Sequence, residues 1–233
     1  RWATLPGRQS PAASAKPAMI SSITARGIST SVSNIPSASK AASPVGRPAK
    51  AASVRARMWS SAAPASCPSR LAPRQKGCQL LPEILYRVVS DYWALGLQVV
   101  FVADGPYHDV FRNIAGFHQM GHRIAVCGFD EGLSRLAYAA SDYILMPSAY
   151  EPCGLAQMVG LRYGSLPIVH ATGGLRDTVT HMNPNSETGN GFVFDYHDAQ
   201  GLRWAIDEAM RFHIRPAAER EANVTRVMKE AAD

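Results

Sequence analysis

From about Leu71 onward, short apolar runs alternate with amphipathic stretches, and this limits the chain to few architectures. The pattern is that of a parallel sheet covered by helices, a Rossmann-like α/β fold. A helical segment from Gln79 to Trp93 sets Leu80, Ile84, Tyr86, Val88 and Tyr92 among polar neighbours, with Pro82 tolerable only in the first turn. Leu97–Ala103 reads as a buried strand, His108–Gln119 as a helix and Arg123–Cys127 as a strand. Glu131–Ala140 (helix), Tyr143–Met146 (strand), Gly154–Tyr163 (helix) and Leu166–Val169 (strand) follow. A short helix near Leu175–Thr180, a strand at Gly191–Phe194 and a last clear helix at Ala199–Phe212 complete about five strand and helix pairs.

Right-handed crossovers put every loop that follows a strand on one edge of such a sheet, the edge where ligands bind. Three loops there stand out: Asp104-Gly105-Pro106, Pro147 to Gly154, and Ala171 to Gly174. Two of them join glycine to a helix start, whose free N–H groups and dipole favour an anion. A glycine in one such loop needs no more than a turn. Three loops on one edge point to a phosphate-bearing ligand.

The first third is of a different kind. Residues 1–66 hold 16 Ala, 14 Ser and 7 Pro, too few large apolar groups to offset the entropy of ordering the backbone, and disorder is expected. No Asp or Glu precedes Glu83, so residues 1–82 carry 12 bases and no acid, whereas residues 83–233 carry 12 bases and 18 acids. Three readings stay open for residues 1–66: a plastid or mitochondrial transit peptide, a basic arm for an anionic surface, or translated sequence without a structural job, such as a shifted frame. An arm built for phosphates would cluster its bases among aromatics; here 9 bases are spread evenly, with only Trp2 and Trp59, so no nucleic-acid partner is expected. The domain expectation is therefore a low-complexity segment over 1–66 and a folded domain over 67–233. No run approaches the 18 apolar residues of a membrane span. Cys67, Cys78, Cys127 and Cys153 show neither a Cys-x-x-Cys pair nor zinc-site spacing, and a reducing compartment is the default. A start at Arg1 fits a fragment or processed product.

Met146-Pro-Ser-Ala-Tyr-Glu-Pro-Cys-Gly-Leu-Ala-Gln-Met158, followed by Arg162-Tyr-Gly and Ala171-Thr-Gly-Gly-Leu-Arg-Asp-Thr-Val179, closely resembles the C-terminal domain of bacterial glycogen synthases and plant starch synthases. Ser69-Arg-Leu-Ala-Pro-Arg-Gln-Lys-Gly77 resembles the phosphate-contacting segment at the start of that domain. The likeness runs from about Ser69 to Phe212. It implies the C-terminal half of a two-lobed GT-B glycosyltransferase that moves glucose, with retention, from ADP-glucose to the non-reducing end of an α-1,4-glucan. No metal or other cofactor is expected.

Carried over residue by residue, the resemblance gives Arg70 and Lys76 the diphosphate, where fixed positive charge offsets the charge growing on departing ADP. Glu151 would sit beside the donor glucose and offset oxocarbenium-like charge; a carboxylate on the turn between Tyr150 and Pro152 has little structural reason to exist. Cys153 would line the donor pocket without acting as nucleophile, since no base lies at a useful spacing. Gly154 and Leu155 would open the helix that cradles the phosphate nearest the sugar. Phe129 would pack against adenine. Thr172, Gly173 and Gly174 would form a second loop at the sugar and phosphates, small where a ligand approaches the backbone. Many other GT-B enzymes carry a second Glu where this chain has Val159; glycogen and starch synthases also lack it. Tyr163 and Arg162 read as packing and surface, and His170 and the other six histidines as ordinary surface or core residues.

The resemblance also implies what is not found in these residues. The family's acceptor lobe with its Lys-x-Gly-Gly loop is absent, Ala, Ser and Pro replace the first strand that should run into Ser69, and Asp233 precedes the closing helix. The polypeptide alone is expected to be inactive, with the glucan acceptor bound through the missing lobe. The alternative is a non-catalytic nucleotide-sugar-binding remnant. The resemblance puts the protein in a bacterial cytoplasm, or alternatively in the plastid stroma.

Overall fold

The structure, a computed structural model, describes residues 57–60 and 75–232. Six parallel strands form one sheet: β1 (Arg57–Ser60), β2 (Gln98–Val102), β3 (Ile124–Cys127), β4 (Tyr143–Met146), β5 (Leu166–His170) and β6 (Phe192–Phe194). Their order is β3-β2-β1-β4-β5-β6. Helices α1 (Leu81–Asp91), α2 (Tyr107–Phe117), α3 (Glu131–Ala140), α4 (Leu155–Arg162), α5 (Gly173–Thr178), α6 (Ala199–His213) and α7 (Ala217–Glu230) connect or follow the strands.

Strand alternation explains why helices cover both faces. Val99 and Phe101 of β2 and Tyr143 and Leu145 of β4 enter one core with Leu85 and Val88 of α1 and Leu202, Ile206 and Met210 of α6. Their neighbours Val102, Ile144, Met146 and Val169 enter a second core with Leu175 of α5, backed by Leu133 and Ala137 of α3. Strands buried on both faces read as unbroken apolar runs, and so β2 to β6 fall at their expected places.

Two elements depart from expectation. β1 is present, contrary to the reading that Ala, Ser and Pro replace the first strand, and it lies inside the sheet, paired with both β2 and β4. The boundary drawn between residues 66 and 67 therefore leaves a central strand on the wrong side. Four residues carry no periodic signal; a ladder on each side and the burial of Met58, 2% exposed and worth about 2 kcal/mol, fix it instead. The expected disorder of residues 1–66 otherwise lies outside the described residues. α7 was also not foreseen. Pro216 caps it, and its apolar stripe is narrow, with Val227 buried and Val224 partly so. Gly164, at φ 68°, lets α7 come close: a Cβ there would stand 2.9 Å from Val224 Cγ1 and Met228 Sδ.

This strand order reverses direction between β1 and β4, the switch point at which open α/β sheets leave a crevice outside the carboxyl ends of the strands. The loop after β4, residues 147–154, forms one wall of it.

Candidate functional site

Two segments distant in sequence meet at that crevice. Gln75 and Lys76 come from the turn before α1, Pro147 to Gly154 from the loop between β4 and α4. The Ala149 N–H donates to the Gln75 carbonyl at 2.8 Å. Gly77 is buried at φ 71°, and a Cβ on it would lie 1.7 Å from the Pro147 carbonyl oxygen, so only glycine allows this approach. The result is a direct contact between two expected site residues: Lys76 Nζ lies 2.6 Å from Glu151 Oε2, with side chains only 20% and 13% exposed. The Ser148 hydroxyl donates to the same oxygen at 3.2 Å. Shielding from water keeps such charges strong.

Glu151 closes onto the third loop as well. The Gly174 N–H donates to the Glu151 carbonyl at 2.9 Å, and the Thr172 hydroxyl to the Ala149 carbonyl at 3.2 Å. The smallness of Gly173 and Gly174 has a visible cause here. A Cβ on Gly173 would lie 2.4 Å from the Glu151 carbonyl oxygen, and one on Gly174 2.8 Å from that of Cys153. Among the contacts seen, these glycines fit loop against loop.

Gly154 starts α4 in the left-handed region at φ 60°, with no side chain capping the first turn. The leading N–H groups of α4 thus have no side-chain acceptor at Gly154, which suits an anion. Cys153 and Leu155 flank it and are exposed. Beneath them, Gln157 is fully buried, and its amide donates to the Thr178 hydroxyl at 2.8 Å, which donates to the Gly174 carbonyl at 2.5 Å. Phe129 lies partly exposed past the end of β3, its N–H donating to Asp104 Oδ1 at 3.0 Å. Three strand spacings separate β3 from β4, on the order of 14 Å. Arg70 lies outside the described residues.

The structure thus joins Lys76, Glu151, Cys153, Gly154, Leu155, Thr172, Gly173 and Gly174 in one loop cluster and leaves Phe129 at a distance. Sequence reasoning missed Ser148, Gln157, Thr178 and two histidines. His170 Nδ1 donates to the Ser148 carbonyl at 2.8 Å, with its Nε2 3.3 Å from the Asp195 carbonyl. His197 Nε2 donates to the Pro147 carbonyl at 2.9 Å. The one available signal was the place of His170, last in its strand on the ligand edge. Among the described residues no three His, Cys, Asp or Glu side chains converge as metal ligands would, and no helix is long and apolar enough to cross a membrane.

Residues 69–223 match the family described as glycosyl transferases group 1. The chain is 43% identical over 141 residues to a glycogen synthase of Desulforudis audaxviator, an alignment covering 60% of this chain and 27% of that protein. It is 36% identical over 169 residues to the probable starch synthase 4, chloroplastic/amyloplastic, of Arabidopsis thaliana, covering 70% of this chain and 16% of the relative. Among solved structures it resembles the catalytic domain of Arabidopsis starch synthase IV bound to ADP and acarbose, with a TM-score of 0.61, 32% identity and coverage of 78% of this chain and 37% of that one. Anabaena Alr3699/HepE in complex with UDP, 19% identical with a TM-score of 0.54 over 75% of this chain and 43% of that one, shares the fold. The chain thus spans less than a third of the glycogen and starch synthases it matches. The parallel sheet with flanking helices is that of a GT-B glycosyltransferase domain, and the chain belongs to the glycosyl transferases group 1 family.

Proposed function

We propose that this domain binds ADP-glucose at the β1/β4 crevice and forms the donor half of an enzyme that transfers glucose, with retention, to the non-reducing end of an α-1,4-glucan. The Lys76–Glu151 pair carries the reading: a cation and a carboxylate held together at the switch point, beside the uncapped start of α4. The diphosphate takes Lys76, together with Arg70, and the leading N–H groups of α4. Negative charge grows on the departing diphosphate as the glycosidic bond breaks, and fixed donors stabilise it there without reorganising. Glu151 faces the opposite sign. As the sugar gains oxocarbenium character, its carboxylate offsets the positive charge.

In this reading the positive charge at the leaving group comes from side chains and backbone, and no metal or cofactor is assigned. Cys153, Thr172, Gly173 and Gly174 border the sugar and the near phosphate, and Phe129 stands about a nucleotide's length away, where a ring can pack on adenine. The acceptor glucan belongs to the second lobe of the complete enzyme. The protein's place is the cytoplasm of a bacterium or, alternatively, the plastid stroma. Calorimetric titration of the chain with ADP tests the reading. Binding in the millimolar range or tighter is expected, at about 4 kcal/mol or more, and weakening on Lys76→Ala. No detectable heat at millimolar ADP, with the fold intact, would refute it.

A further inference from the structure

We propose that His170 and His197 are positioning residues: they clamp the main chain of the Glu151 loop by donating to consecutive carbonyls, and so fix where Glu151 stands relative to Lys76. The clamp rests on the functional reading above for what the loop holds, and on geometry alone for how the loop is held.

β4 ends at Met146, so the carbonyls of Pro147 and Ser148 have left the sheet ladder while both residues remain buried. Buried carbonyls require donors. Two side chains from other elements supply them: His170, last residue of β5, donates from Nδ1 to Ser148, and His197, between β6 and α6, donates from Nε2 to Pro147. The two rings reach these carbonyls through different nitrogens, and the second nitrogen of His170 lies farther off, 3.3 Å from the Asp195 carbonyl. The rings lie 4.8 Å apart, and Phe194 stands 5.5 Å from His170, so both imidazoles are held against neighbours. On the other side Gly77 approaches the Pro147 carbonyl, which is thus confined between the Lys76 turn and His197.

The link to Glu151 is short. Ser148, fixed through its carbonyl by His170, donates its hydroxyl to Glu151 Oε2, the oxygen that Lys76 also meets. Movement of Ser148 is passed to the carboxylate. Histidines that merely satisfied their own polar atoms would have no reason to aim from two elements at adjacent carbonyls of one loop.

The test compares donor-free and donor-bearing replacements in the full chain. His170→Leu and His197→Leu remove the donors, whereas His170→Asn places an amide N–H near the former Nδ1 and His197→Gln near the former Nε2. Hydrogen exchange is read at Ala149, whose N–H bonds Gln75, and at Gly174, whose N–H bonds the Glu151 carbonyl; Phe101 in β2 reports global stability. Each leucine variant is expected to lose about fivefold to tenfold in protection at Ala149 and Gly174 but not at Phe101, and to bind ADP about tenfold more weakly. The amide variants should return both readouts to within about twofold of wild type. Unchanged loop protection in the leucine variants, or amide variants as impaired as the leucines, overturns the clamp. If one leucine variant does not fold, the pair at the other histidine decides by the same criteria. If the wild type does not bind ADP, the functional reading fails while exchange at Ala149 and Gly174 still tests the clamp.

Discussion

Lys76–Glu151 and the cluster around Arg203 are both partly shielded charge groups, and they are wired differently. Arg203 on α6 reaches Asp207 and Asp91, each at 2.8 Å, while the Tyr92 hydroxyl donates to Asp207 at 2.5 Å and the guanidinium lies 5.7 Å from the Tyr92 ring. That network ties α1 to α6 with every member engaged by others. Burial works to lower the Arg203 pKa, but the two aspartates outweigh it and the net shift is upward. Lys76 and Glu151, by contrast, meet through one oxygen across two loops, and those loops are shaped by glycines rather than by a shared core. A saturated network joins helices and stabilises the fold. A single pair between loops at a crevice can exchange its partner for a ligand.

Substitutions should separate the two, and the largest effect belongs to the loops. Gly77→Ala places a Cβ 1.7 Å from a backbone oxygen at a left-handed φ, so Pro147 must move. A loss of about 3 kcal/mol, near 10 °C in melting temperature, is expected, with ADP binding abolished. Unchanged melting and affinity would show that the two loops need not touch. Next comes a reciprocal pair. Lys76→Met should weaken ADP binding by about tenfold or more while shifting the melting temperature by less than about 2 °C. Arg203→Met should lower stability by about 1 to 2 kcal/mol, a figure reduced for its partly exposed partners, and leave ADP affinity unchanged. Were Lys76→Met the more destabilising, the distinction between site and scaffold would collapse.

How much of this was legible follows from the same physics. β2 to β6 were readable as short apolar runs, and α1, α2 and α6 because each buries an apolar stripe at the helical period. β1 was not: Arg57-Met58-Trp59-Ser60 owes its place to ladders from β2 and β4, which no local pattern records. Lys76 and Glu151 were legible by resemblance to a family, but their contact was not, because it depends on Gly77 fitting against Pro147 across a wide sequence gap. In sequence, the histidines at 170 and 197 read as ordinary surface or core residues. Their partners are backbone carbonyls, which leave no side-chain motif to find.

A smaller effect separates the clusters by pH. Burial first, then the bond to Asp207, pushes the Tyr92 hydroxyl up to about 12 from 10.0. A raised folded-state pKa means stability fully present below pH 10.0 and lost as pH rises through about 12. Tyr92→Phe should therefore cost about 1 kcal/mol at neutral pH, and the gap from wild type should close across that alkaline interval. A gap that persists at its upper end would assign the cost to packing rather than to the hydroxyl.

The smallest effect lies beside the site itself. Cys78, two residues after Lys76, has its thiol pushed up to about 11 by burial, although its own backbone bond and the Lys76 charge pull the other way. Cys153, in the opposite wall, is exposed. Since the thiolate is the reacting form, iodoacetamide at pH 8 should modify Cys153 and leave Cys78 intact. Lys76→Met removes one of the influences that lower the Cys78 pKa, so it should make Cys78 slower still, never faster. Faster labelling of Cys78 in that variant would mean that Lys76 shields the thiol by packing, and would move Lys76 from the ligand-binding side of the comparison towards the structural one.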